Sequence, residues 1–184
     1  GRLDVIGYED KVNGIDQGFN EFSPMIGLLH APTPNLSFYV SAGRGFAPPS
    51  SLGRGDRRAE ESEQIELGAK RRWNDAGSAT LAVYHLQKDV ASDDGMTARR
   101  GSQQARGIEV ELSLAKSVWV GVGSYAFSAG ELKDFVEELR VPTPDGGLFE
   151  RSFDRSKNEP AFAPRHLFNL WLNRHFTGVA KGAS

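Results

Sequence analysis

Cysteine is absent from all 184 residues, which removes disulfide scaffolds and thiolate metal sites. No apolar run approaches the roughly 20 residues of a membrane-crossing helix. A marked excess of charge of either sign is also missing: the formal net charge is −2 and the isoelectric point about 6.1, so there is no basic field for nucleic acid and none is expected as a partner. His30, His85, His166 and His175 show no paired ligand spacing, and no serine, histidine and acid fall into a nucleophile arrangement. No catalytic residue, metal site or cofactor is therefore expected, and the chain is not read as an enzyme. Gly43-Arg-Gly45 opens onto Pro48-Pro49 rather than onto a helix, so it is no phosphate loop. Asp93-Asp94 reads as a solvated turn before it reads as a cation site.

What is abundant is glycine (21) and phenylalanine (11), the residues of strands and turns. A 39% apolar content and a mean hydropathy of −0.43 are typical of soluble chains. A barrel gives half of each strand to a wet interior, however, so hydropathy alone does not decide.

The most informative stretch is Arg106-Gly-Ile-Glu-Val-Glu-Leu-Ser-Leu114. With a period of two, Ile108, Val110, Leu112 and Leu114 share one side, and Gly107, Glu109, Glu111 and Ser113 the other. A soluble sheet sets such an apolar row on a core, whereas a membrane barrel sets it against lipid. Gln64 to Trp73 repeats the pattern: Ile65, Leu67 and Ala69 oppose Gln64, Glu66, Gly68 and Lys70, and Trp73 lies beside the turn Asn74-Asp-Ala-Gly77. Arg71 interrupts the apolar row, where its stem can lie on apolar surface while its head reaches water. Helical spacing of Ala59, Ser62, Ile65 and Ala69 makes a helix over Arg57 to Trp73 the competing reading.

In chain order, strands are expected at Gly1 to Tyr8, Phe22 to His30, Leu36 to Arg44, Gln64 to Trp73, Ser78 to Val90, Arg106 to Leu114, Val118 to Ser128 and Arg165 to Arg174. Ser78 to Val90 is apolar on both sides, which leaves its orientation open. Trp119, Tyr125 and Phe127 share a parity and suggest two aromatic bands. Phe168, Leu170 and Leu172 oppose Asn169, Trp171 and Asn173. Loops are expected at Lys11 to Glu21, Gly45 to Glu60, Ala91 to Ser102 and Gly130 to Pro164. In the last, Leu132, Phe135, Val136 and Leu139 fall at helical spacing and predict a short amphipathic helix. Short and long connections then alternate along about eight antiparallel strands. Outer-membrane barrels place short turns at one end and long loops at the other, and a transmembrane barrel segment is the fold class expected.

Phe22-Ser-Pro-Met-Ile-Gly27, Leu36-Ser-Phe-Tyr-Val40, Gly43-Arg-Gly-Phe-Ala-Pro-Pro49, Glu63-Gln-Ile-Glu-Leu-Gly-Ala-Lys70, Ala82-Val-Tyr84, Arg106-Gly-Ile-Glu-Val-Glu111 and Pro164-Arg-His-Leu-Phe-Asn-Leu-Trp171 together resemble TonB-dependent outer-membrane receptors, most of all the siderophore-receptor group. The resemblance implies an all-β, up-and-down 22-stranded barrel in the bacterial outer membrane, closed by a plug domain. It implies import of a ferric siderophore or similar scarce ligand, with energy delivered by the TonB complex through the plug. Such a barrel needs on the order of 500 residues. Residues 1–184 are thus expected to be an internal barrel segment, with the plug and the C-terminal strand lying outside it. The alternatives are a small self-contained outer-membrane barrel with a structural or adhesion role, and a soluble antiparallel sheet protein or lipid-binding module.

On this reading Ile65, Leu67, Ile108, Val110, Leu112, Phe168 and Leu170 face the lipid bilayer, and Glu66, Lys70, Glu109, Glu111 and Asn169 face the lumen. Glu66, Glu109 and Glu111 are expected to meet the plug or lumen water. Arg44, Arg54, Arg57 and Arg58 are the candidates for attracting an anionic ligand to a loop.

Overall fold

The computed structural model describes residues 2–10, 15–47, 60–73, 76–161 and 163–176, with side chains from residue 21 onward. Ten strands make up nearly all of them: β1 (Arg2–Asp10), β2 (Ile15–Ser23), β3 (Met25–Thr33), β4 (Leu36–Ala47), β5 (Glu60–Arg72), β6 (Gly77–Asp93), β7 (Thr97–Lys116), β8 (Trp119–Pro142), β9 (Leu148–Asp154) and β10 (His166–Arg174). β1 and β2 form an antiparallel hairpin. The other eight form one antiparallel sheet in the order β10-β8-β7-β6-β5-β4-β3, with β9 also paired to β8. Every step along this order joins chain neighbours except that from β8 to β10, where β9 takes the far part of β8 and β10 the near part. The sheet is an open up-and-down meander, with β3 and β10 at its edges.

Cross-strand partners share a face, so the register sorts every side chain. One row runs Leu28, Val40, Leu67, Val83, Ile108, Phe127 and His166 across seven strands. The next row toward the short turns runs His30, Phe38, Ala69, Leu81, Val110, Tyr125 and Phe168. On the opposite face the rows read Ser37, Lys70, Thr80, Glu111, Ser124, Asn169 and, one step on, Leu29, Tyr39, Gly68, Ala82, Glu109, Ala126, Leu167. The orientation left open for Ser78 to Val90 is thereby fixed: Ala79, Leu81 and Val83 lie on the apolar face, Thr80, Ala82 and Tyr84 on the polar one.

This sheet has no conventional core. Leu28, Phe168 and Leu170 are 69%, 68% and 67% exposed, at the two edges of a face whose apolar rows run the width of the sheet. No helix and no second sheet lies over the apolar face among the described residues. The few buried apolar side chains are Ala82, Ala98, Leu132 and Phe135.

Several boundaries differ from the sequence expectations. Within Lys11 to Glu21, Ile15 onward is strand, because β2 pairs with β1 along its whole length. β4 continues to Ala47 and β5 begins at Glu60 as strand, not helix; residues 48–59 between them lie outside those described. Ala91 to Ser102 is not a loop but the tip of a long hairpin, turned only by Asp94, Gly95 and Met96. The helix expected at Leu132 to Leu139 is also absent, since β8 runs straight through to Pro142. Its helical spacing comes from a β-bulge: Ser102 pairs with Lys133 but Arg100 with Val136, so β8 carries one extra residue, with Asp134 at φ 46°. A bulge shifts the alternation by one. Leu132 and Phe135, three apart, therefore fall on one face, as on a helix. The end asymmetry survives in another form, as strands of 17, 20 and 24 residues projecting beyond their neighbours.

Candidate functional site

The polar face holds a cavity of about 430 Å³ lined by Tyr39, Glu66, Lys70, Thr80, Glu109, Glu111 and Asn169, among others. The residues come from five different strands at one level of the sheet. On the same face glycine makes room for tyrosine: a Cβ at Gly68 would collide with the Tyr39 ring, and one at Gly107 would lie 2.6 Å from the Tyr84 hydroxyl oxygen. Each tyrosine thus lies flat across the glycine opposite it. Tyr39 donates its hydroxyl to Glu66 Oε1 at 2.6 Å, Lys70 Nζ sits 5.2 Å from the Tyr39 ring centre, and Asn169 Nδ2 donates to Ser124 Oγ at 3.3 Å. Three carboxylates and one ammonium give the lining a net negative charge. The five polar residues singled out in the sequence, Glu66, Lys70, Glu109, Glu111 and Asn169, are all brought together here.

The opposite face carries Ile65, Leu67, Ile108, Val110, Leu112, Phe168 and Leu170 together. Along β7 the band is bracketed by Lys116 and Arg106. Ten residues at about 3.3 Å, tilted about 40°, span about 25 Å along a membrane normal, the height of a barrel's apolar band. Aromatic groups mark both margins. Arg174 stacks on Trp119 at 5.3 Å beside the short turn. At the other margin His166 lies 5.2 Å from the Phe127 ring and shares a hydrogen bond of 2.9 Å with Tyr125. Beyond it the same face turns polar, with Gln104 donating to Gln87.

The projecting hairpins form a second cluster that sequence reading missed. Glu137 accepts from Arg99 (3.0 Å) and Arg155 (3.1 Å). The Arg151 and Arg155 guanidinium groups lie 4.9 and 5.0 Å from the centre of the Phe153 ring, both within cation–π distance. On the other face Arg140 bonds both Asp93 oxygens at 3.0 and 3.2 Å and reaches Glu150 at 3.4 Å. Register 38 and 18 residues apart joins these groups, and no local motif announces them. Arg44 lies on β4, on the same face as the apolar band, matched by Glu61 at 3.2 Å and Glu63 at 3.0 Å. Arg54, Arg57 and Arg58 lie outside the described residues. Within the turn, Asp93 accepts the backbone N–H of Gly95, and Asp94 accepts those of Met96 and Thr97.

These contacts make the hairpins acid-sensitive. The Gly95 N–H and then Arg140 hold the Asp93 carboxyl below the usual range; Arg99 and then Arg155 do so for Glu137. A depressed carboxylate stabilises the fold fully above its unfolded value and loses that contribution as pH falls through the folded value. Hydrogen-exchange protection at 93–97 and 137–155, corrected for intrinsic exchange, is expected to be flat above pH about 4.5, the ordinary glutamate value, and to fall below it. Unchanged protection down to pH 2 would contradict the pairing.

Compared with protein families, residues 1–182 match the family described as TonB dependent receptor-like, beta-barrel. Among curated proteins the chain has no match.

Proposed function

We propose, because this chain belongs to the TonB-dependent receptor β-barrel family, that it forms wall and outer hairpins of a receptor importing a ferric siderophore or chemically similar anionic chelate. The family is one of outer-membrane transport receptors. The observation that carries the reading is the division of one unlayered sheet into a bracketed apolar band and a wet, acidic opposite face. In this reading the apolar band meets lipid, and the polar face looks into the lumen toward a plug domain that passes on the pull of TonB. Arg151, Phe153 and Arg155, the last also paired with Glu137, offer cationic groups and an aromatic ring to an anionic chelate on the projecting hairpins.

Uptake of ⁵⁵Fe-labelled hydroxamate and catecholate chelates, in cells with and without the gene, tests this. Import of at least one chelate that needs the gene and stops with a protonophore is expected; equal uptake in both strains for every chelate defeats the reading. For the chelate imported, Arg151→Ala with Arg155→Ala is expected to weaken binding roughly 10- to 150-fold, the worth of one charge-assisted contact of about 1.5–3 kcal/mol. Unaltered affinity would remove these residues from the ligand site.

A further inference from the structure

The apolar face is not evenly filled. Gly121 and Gly123 on β8 form the floor of a furrow of about 680 Å³, walled by Val110 and Leu112 of β7 and by Phe168 and Leu170 of β10. Both glycines lie in line between bulky neighbours, since Gly123 pairs with Leu112 on one side and Leu170 on the other. The furrow ends at Trp119 and Tyr125. Six residues at about 3.3 Å, tilted about 40°, make it about 15 Å deep along a membrane normal, half of a hydrocarbon core of about 30 Å. It is therefore as long as one leaflet is thick. At its mouth by the short turn stand two cations, Lys116 and Arg174, both register partners of Trp119, with Arg174 stacked on that ring.

We propose that this furrow seats one acyl chain of a phospholipid from the leaflet at the short-turn end, with Lys116 and Arg174 holding its phosphate. The assignment rests on the reading that the apolar face meets lipid. Chain length, apolar lining and charge at the mouth all match that one occupant. A smooth annulus of lipid needs neither the glycine floor nor the paired cations.

Two measurements separate the furrow from the reading beneath it. In vesicles of brominated phosphatidylglycerol, protein carrying Trp73→Phe and Trp171→Phe reports on Trp119 alone; strong quenching is expected, and its absence would overturn both the lipid-facing reading and the furrow. Native mass spectrometry of detergent-purified protein, titrated with dipalmitoyl phosphatidylglycerol, then counts retained lipid. One tightly held molecule is expected. Lys116→Ala with Arg174→Ala should weaken it roughly 30-fold. Gly123→Val should weaken it roughly 10-fold, the loss of about two buried methylenes; the Cβ it adds meets Leu170 Cδ1 at 3.7 Å, an ordinary contact. Quenching of Trp119 with equal retention by wild type and both variants would overturn the furrow alone.

Discussion

Leu112→Arg is expected to destabilise the protein in phospholipid bilayers by about 2–4 kcal/mol, the cost of a cation near the middle of a barrel's lipid face. Leu112 lies close to midway between Lys116 and Arg106 on β7, and it is 43% exposed with no protein layer described above it. The same substitution one strand-turn lower, Leu114→Arg, should cost only about 0–1 kcal/mol because the guanidinium can reach the interface. Glu111→Arg, on the opposite face, should stay within about 0.5 kcal/mol. Urea titrations of the three variants in vesicles read this directly. A conventional core would make Leu112 and Leu114 about equally costly, so equal costs at the two positions would contradict a lipid boundary.

Gly107→Ala carries the second large effect, on the polar face. The added methyl would collide with the Phe127 carbonyl oxygen and lie 2.7 Å from Tyr84 Cζ. Tyr84 can swing away, but the carbonyl belongs to the β7–β8 ladder and cannot. Overpacking against backbone costs about 1–3 kcal/mol. Adding Tyr84→Ala should restore only the part due to the ring. Gly123→Ala, with its nearest neighbour at 3.7 Å, should be nearly neutral. Full rescue by Tyr84→Ala, or equal costs for the two glycines, would show that the ladder tolerates the methyl.

The part of this fold legible along the chain is the part where alternation is clean. Gln64 to Lys70, Arg106 to Leu114 and Phe168 to Asn173 each separate apolar from polar with a period of two, and the register keeps the apolar members on one face. Where both parities are apolar, as from Ala79 to Leu86, only pairing decides; Ala82 falls on the polar face yet is buried there. The projecting hairpins looked like loops because a strand in water needs no apolar side, and charge with glycine then reads as turn. One extra residue at Asp134 was enough to imitate helical spacing, since a bulge changes local period without leaving a composition signal. The tyrosines lying over Gly68 and Gly107, and the ion pairs of Glu137, join positions that become neighbours only across strands. Such contacts follow from register, which alternation constrains but does not display.

The absence of cysteine permits a clean scan of single cysteines from 107 to 114, each carrying a nitroxide, in protein embedded in bilayers. Collisions with oxygen and with a water-soluble nickel chelate should alternate with period two: 108, 110, 112 and 114 open to oxygen and closed to nickel, 107, 109, 111 and 113 the reverse. If 108, 110 and 112 proved closed to both probes, or open to nickel, these side chains would lie under protein or in water, and the sheet would not be a membrane wall.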